Sequence, residues 1–324
     1  MKHIYILSCE KTGGIYHYLF KDGGFQFLDK TSLDRPTYAI IRDNKMHVIL
    51  REIDEETRFG GYLSFDIDEN GRLINPNEVQ NTKGIVPCHL EVSENGCYVV
   101  NYLSGNIVKI GENIVTHSGK GVHPTRQEAP HTHFVCSSPD KKYILCTDLG
   151  LDKIFVYDNN LNEKGEVKLP DGAGPRHLCF SENGEYLYCV NELSNDVSVL
   201  EWNNGKPILK GTYSAIPEFK GGSTAAAIRI KGEYLYISNR GADTISRFKI
   251  EGEKLVLLDN TNCGGNGPRD FDIIDDYIIC TNENSNNITV LKIENGKPVL
   301  TDERAYMGGP LCVLYYNGCH LSKQ

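Results

Sequence analysis

The sequence contains no run of about 18 apolar residues, so it offers no helical membrane span. Its opening residues, MKHIYILSCEKTGG, turn polar too soon for a signal-peptide core and carry no small-residue cleavage site. Together these absences make the cytoplasm the expected location. Positive charge is also in deficit: 34 Lys and Arg stand against 43 Asp and Glu, a formal net charge of −9. That balance argues against nucleic acid and anionic membranes as partners. It leaves room for a small anionic ligand, because a local arginine cluster overrides the mean field. Helical periodicity is missing, and the polar stretches between apolar runs are short and rich in Gly, Asn and Asp. Eleven cysteines are present, yet no C-x-x-C pair occurs, which removes the usual spacing of zinc and thiol-exchange sites. Several lie inside apolar runs, as in Tyr143-Ile-Leu-Cys146, Tyr188-Cys189-Val190 and Ile278-Ile-Cys280, where a thiol packs as a small hydrophobe.

What is present is a repeat. One plan recurs through residues 130–157, 175–202, 225–248 and 268–293. It has a strand opened by proline or a small residue, a turn, a strand with a polar end, a turn and a third strand. Asn95-Gly96, Pro139-Asp140 and Asn183-Gly184 are hairpin signals between β-rich runs. Opening prolines at 36, 87, 130, 175, 268 and 310 are spaced 51, 43, 45, 93 and 42 residues apart. The gap of 93 holds a unit that opens near Ser223 without a proline. A period in the forties with about four short strands per unit is the signature of a β-propeller. Seven units fit, so residues 1–324 are expected to form one all-β domain, a seven-bladed β-propeller of four-stranded antiparallel blades. Residues 3–7 read as a second strand and residues 310–316 as a first strand. The N- and C-terminal strands are therefore expected to share one blade and close the ring without an open edge.

In an antiparallel blade, the start of the first strand and the end of the second meet at one mouth of the ring. The chain places its unusual polar residues at both positions. First-strand starts supply His89, His131, His133, Arg176, His177 and Arg269; second-strand ends supply Glu10, Arg51, Asn101, Asp148, Glu192, Arg240 and Glu283. Imidazoles, carboxylates and guanidiniums converging from different blades suit acid–base chemistry on an anionic substrate. Plainer readings stand beside this one. His131 and His133, two apart on a strand, share a face and read as a metal pair, a base with its supporter, or two satisfied polar residues. Arg176 and Arg269 open equivalent strands, so repeat inheritance accounts for one of them. Asp148 reads equally well as an organiser of the turn it begins. Glu192 and Arg240 resist such readings, since they place opposite charges at one repeat position after apolar strands. The chain has neither the acidic spacing of a calcium loop nor a zinc motif, so chemistry without metal or cofactor is expected.

Arg126-Gln127, Pro130-His-Thr-His133, Asp148-Leu-Gly-Leu-Asp152, Gly174-Pro-Arg-His177, Asn191-Glu192 and Ser238-Asn-Arg-Gly241 resemble the motifs of the lactonase-type propellers. That group includes cytoplasmic 6-phosphogluconolactonases and fungal carboxy-muconate lactonising enzymes. The resemblance covers nearly the whole chain and is densest from Arg126 to Phe271. It implies a hydrolase that opens a sugar-acid lactone, 6-phosphoglucono-1,5-lactone foremost. It implies a His, two Arg and a Glu at the mouth, which fall on His131 or His133, Arg176, Glu192 and Arg240; the remaining rim residues Arg269, His177, Asp148, His89 and Glu283 are expected to contact substrate. Glu192 or one of the two histidines would take the proton of the attacking water, and Arg176 would stabilise the oxyanion. Arg240 and Arg269 would hold a phosphate or carboxylate. The chain departs from the family pattern at Arg51-Glu-Ile-Asp54 and in the short outer part of the third unit, residues 106–117. Two further readings are a cycloisomerase of a muconate-like dicarboxylate and a non-catalytic propeller used as a binding platform. A monomer or weak homo-oligomer, with a small anionic lactone as its partner, completes the expectation.

Overall fold

The computed structural model describes residues 2–317. Among them all regular secondary structure is strand. The first blade contains β1 (Lys2–Ser8), β2 (Gly14–Lys21) and β3 (Gly24–Ser32). The second contains β4 (Pro36–Arg42), β5 (Lys45–Leu50) and β6 (Phe59–Ile67), and its outer position is divided between β7 (Leu73–Ile74) and β8 (Gln80–Ile85), which both pair with β6. The third is β9 (Pro87–Ser93), β10 (Gly96–Asn101), β11 (Asn106–Lys109) and β12 (Ile114–Thr116). The fourth is β13 (Thr132–Ser137), β14 (Tyr143–Asp148), β15 (Lys153–Asp158) and β16 (Glu163–Lys168). The fifth is β17 (Pro175–Phe180), β18 (Tyr186–Asn191), β19 (Asp196–Asn203) and β20 (Lys206–Ser214). The sixth is β21 (Thr224–Lys231), β22 (Tyr234–Arg240), β23 (Thr244–Glu251) and β24 (Lys254–Asn262). The seventh is β25 (Pro268–Ile274), β26 (Tyr277–Asn282), β27 (Asn287–Glu294) and β28 (Lys297–Tyr306). Finally β29 (Pro310–Tyr316) returns to pair antiparallel with β1, giving the first blade the order β29-β1-β2-β3. The terminal strands thus share a blade as their sequence positions required. The first strand of each blade packs on that of the next, from β4 round to β29 and back to β4.

The middle strands are apolar on both faces because each blade is buried between two others. Alternate residues of a strand point to opposite sides. Ile4 and Ile6 therefore join the core shared with the seventh blade, while Tyr5 and Leu7 join the core shared with the second. In β18, Leu187 and Cys189 pack toward the fourth blade and Tyr188 and Val190 toward the sixth. The ten described cysteines are unpaired, and half of them are fully buried in these cores.

One backbone irregularity recurs in every blade and positions the site. Near the mouth, the first strand carries one more residue than the second. Pro36 pairs with Leu50 but Tyr38 with Ile49, Pro175 with Asn191 but His177 with Val190, and Pro268 with Asn282 but Asp270 with Thr281. These β-bulges leave Thr37, Cys88, His133, Arg176, Arg269 and Leu311 as the extra residues, and in the sixth blade the shift spans Ala226–Ala227. A bulge re-aims a side chain. Here all six of the singly bulged residues line the cleft at the mouth of the channel.

The fourth blade differs from its sequence register. Thr132, not Pro130, pairs opposite the end of β14, where every other blade but the sixth has its opening proline. His133 is therefore the counterpart of Arg176 and Arg269. His131 lies just before β13 and His133 at its bulge, and both rings pack against Tyr102, with centroids 4.4 and 5.7 Å away.

Candidate active site

Two stacked rings of residues build the mouth. The inner ring is the set of bulged residues. The outer ring comes from the position just past the paired end of the second strands, Cys9, Arg51, Tyr102, Leu149, Glu192 and Glu283, and from the equivalent Arg240, which still pairs with Thr224. The Asn or Asp one residue earlier turns back into its own blade. Asn191 Nδ2 donates to Ser198 Oγ at 2.9 Å, Asn239 Nδ2 to Ser246 Oγ at 2.7 Å, and Asn282 Nδ2 to Thr289 Oγ1 at 3.1 Å. Asn101 does the same toward Asn106. These side chains are fully buried, so each needs a hydrogen-bond partner. This explains why Asn101 and Asp148 do not reach the cleft although their neighbours do. Glu10 lies one residue beyond the ring and is exposed.

Asp148 is fully buried and its carboxylate is occupied. Oδ1 accepts from the amides of His131 and Gly150 at 2.8 and 3.0 Å, and Oδ2 lies 2.6 Å from His117 Nδ1. It braces the strand entry and is not brought to the cleft with the other candidates. His131 is also set back. Its ring stacks on Tyr102 at 4.4 Å, and its Nδ1 lies 3.0 Å from the Tyr102 carbonyl.

Glu192 is the electrostatic centre. It is 4% exposed, and its Oε2 accepts from Arg176 Nε at 3.0 Å and pairs with Arg240 Nη2 at 2.9 Å. Its Oε1 accepts a short bond from Arg126 Nη2. Burial by itself raises the carboxyl; the charges of Arg240, Arg176 and Arg126 outweigh it and hold Glu192 well below the usual carboxylate range. Arg126 belongs to the long connection between β12 and β13. Gln127 pins that connection: its Nε2 donates to the Leu149 carbonyl and Asp152 Oδ1, and its Oε1 accepts from the amides of Val122 and His123. Asp152 also accepts from the amides of Gly172 and Gly174, so it fixes the entry to β17. Much of the family motif therefore holds the site in place without touching it. Arg126, quoted in that motif but given no role from sequence, proves to be a cleft residue.

Arg176 is 2% exposed and its Nη1 donates to the Ala226 carbonyl at 2.8 Å and to His177 Nε2 at 2.9 Å. Its Nη2 has no partner among the described residues. Burial and the Arg240 charge lower the Arg176 guanidinium from its usual value, with Glu192 opposing; it stays cationic at neutral pH. His133 lines the cleft beside it. Burial, reinforced by the Arg176 charge, pulls the His133 imidazole well below its ordinary value, so the ring is neutral near pH 7. Arg269 Nη1 donates to Glu283 Oε2 at 3.1 Å.

Below the rings, the residues following the bulges form an aromatic floor. Tyr38 meets His89 at 4.4 Å between ring centroids, His89 meets Phe134 at 3.9 Å, and Phe134 meets His177 at 4.9 Å. His89 and His177 thus lie in or under the floor; both are pulled well below the ordinary imidazole value, foremost by burial. The outer part of the cleft is an open hollow of about 280 Å³, and its wall includes Arg51, Tyr102, Leu103, Arg126, Arg240 and Arg269. Among the described residues no group of three or more His, Cys, Asp and Glu is arranged to hold a metal ion.

Fold and site together define a seven-bladed propeller with a guanidinium-rich, carboxylate-buttressed cleft at one mouth. The chain belongs to the lactonase family of seven-bladed β-propellers, whose model matches residues 3–315. Membership supports an enzyme that hydrolyses lactones. An uncharacterised protein of Staphylococcus aureus strain N315 is 36% identical, with 74% of this chain and 75% of that protein aligned. A Bacteroides uniformis structure described as a candidate 6-phosphogluconolactonase is 26% identical, covers 97% of this chain and 99% of its own, and has a TM-score of 0.88. A Bacteroides fragilis structure with the same description is 25% identical over 98% of each chain, also at a TM-score of 0.88.

Proposed function

We propose that the protein hydrolyses a sugar-acid lactone, with 6-phosphoglucono-1,5-lactone the leading substrate. The observation that carries this reading is a neutral buried imidazole, His133, beside an arginine, Arg176, whose Nη2 alone is unspent. In this mechanism water adds to the lactone carbonyl and His133 takes its proton. Arg176 Nη2 donates to the oxygen as it becomes negative. The ring C–O bond then breaks, the protonated His133 returns its proton to the departing oxygen, and the new acid ionises to a carboxylate. Glu192 is not the base: three guanidiniums already occupy its two carboxylate oxygens, which leaves no oxygen free to accept from water. Its work is to hold the arginines in place. Five guanidiniums (Arg51, Arg126, Arg176, Arg240 and Arg269) line the cleft; against them stand Glu192, Glu283 beside Arg269, and Asp270, which is spent on Arg229, so the cleft is cationic on an anionic protein. Such a cleft draws in a phosphorylated or acidic lactone.

The test is hydrolysis of freshly prepared 6-phosphogluconolactone above its spontaneous rate, with and without EDTA. Wild type should turn it over in both conditions. Arg176→Ala should lose roughly 100- to 1000-fold in kcat, the usual cost of one oxyanion donor. Wild-type rates equal to background, or an unimpaired Arg176→Ala enzyme, would overturn the proposal.

A further inference from the structure

Arg51 is the one cleft arginine whose side chain makes no hydrogen bond or ion pair among the described residues, although it lines both the deep and the outer parts of the cleft. The other four are engaged: Arg126, Arg176 and Arg240 on Glu192, and Arg269 on Glu283. The adjacent carboxylate does not neutralise it either. Glu52 pairs with Arg35 and Arg58, each at 3.6 Å. The following turn is fixed by Asp54, which accepts from the Glu56 amide at 2.9 Å and from Thr57 Oγ1 at 2.7 Å. Arg51 is thus a partly buried cation on a braced loop with its charge unspent.

Its place in the ring gives that charge a direction. Arg51 stands on the second blade, Glu192 and Arg176 on the fifth and Arg240 on the sixth. In a ring of seven, the second blade lies across the channel from the fifth and sixth. A ligand whose reacting carbonyl sits against Arg176 therefore presents its far end to Arg51, with the free donors of Arg269 from the seventh blade nearby. We propose that Arg51 is a specificity-determining residue that recognises a dianionic group, a phosphate ester, at the end of the substrate remote from the lactone carbonyl. This rests on the lactonase reading for the orientation of the ligand, but not for the binding itself. A guanidinium suits this task because its planar donors match two phosphate oxygens at once and it is always charged.

The test uses the stable product pair, so it does not depend on turnover. Titration calorimetry would compare 6-phosphogluconate with gluconate on wild type, Arg51→Gln and Arg51→Lys. Wild type should prefer the phosphorylated acid. Arg51→Gln should lose roughly 10- to 100-fold of that preference, the span expected for one charge-assisted contact. Arg51→Lys should keep part of it, which separates loss of charge from loss of fold. A wild type without preference, or an Arg51→Gln protein that keeps it, would overturn the assignment. A wild type that prefers the phosphorylated acid yet opens no lactone would leave the Arg51 assignment standing and sink the lactonase reading.

Discussion

A carboxylate buried among three guanidiniums is stable only while all partners remain, because charges removed from water need compensation in place. Glu192→Gln keeps the shape and removes the charge, leaving Arg126, Arg176 and Arg240 facing one another with little water. We expect a loss of about 3–5 kcal/mol, read as a lower urea midpoint at pH 7, together with loss of activity. Unchanged stability would mean that the arginines are compensated elsewhere. The histidines make a separate statement about pH. His89, His133 and His177 are buried neutral, with proton affinities below the ordinary 6.5. Below that pH the unfolded chain takes up protons that the folded chain refuses, so stability should be level above pH 6.5 and fall as the pH drops beneath it. Each histidine contributes up to about 1.4 kcal/mol per pH unit. Glu192 acts in a lower window: its contribution is present above the ordinary carboxyl value of 4.5 and is lost on further acidification. Urea midpoints between pH 8 and pH 2 should therefore decline in two stages, the second beginning below pH 4.5, and His89→Phe should make the first stage shallower. A single decline centred near pH 4 would contradict this assignment.

Among the elements, the bulge and the braced strand end determine which side chains meet. Both were hard to read in sequence, for a definite reason. A bulge is one extra residue in one strand of a pair, and no residue type marks it; Thr37, Cys88, His133 and Arg176 share only their position. The alternation of apolar residues could locate each first strand but not the point where its register slips. Pro130 misaligned the fourth unit by two residues for the same reason, and only pairing with β14 shows that His133 is the equivalent of Arg176. The loop 148–152 supports that strand entry through a close approach. A Cβ at Gly150 would lie 1.9 Å from the Ala129 carbonyl oxygen and 2.9 Å from the His131 amide. Gly150→Ala should displace the chain just before β13 and destabilise the protein by about 1–3 kcal/mol, the usual cost of overpacking. It should also reduce kcat through His133. Differential scanning calorimetry and steady-state kinetics would check both, and an unaltered melting temperature would show that the loop yields freely.

For the whole molecule, closure of the ring is the dominant constraint. β29 contributes Leu311 to the cleft wall, Cys312 to the core shared with the second blade, and Val313 to the core shared with the seventh. A chain ending at Gly309 would expose the edge of β1 and open two interblade cores at once. We expect it to aggregate or to lose cooperative unfolding, measured by size-exclusion chromatography and thermal melting monitored by circular dichroism. A monomeric truncation with a sharp transition would show that the other six blades are self-sufficient. The repeat, the seven-fold count and the sharing of a blade by the chain ends were determined by sequence alone. They depend on local alternation and on spacing, which the order of residues records directly. The identity of the family motifs was equally legible, as was the gathering of Arg176, Glu192, Arg240 and Arg269 at one mouth. Only the tertiary structure decided that Glu192 anchors three arginines, that Asp148 and His131 stand behind the cleft, and that Arg51 has no side-chain partner among the described residues. Those outcomes depend on which groups from distant blades come within hydrogen-bonding reach, and therefore on the closed ring.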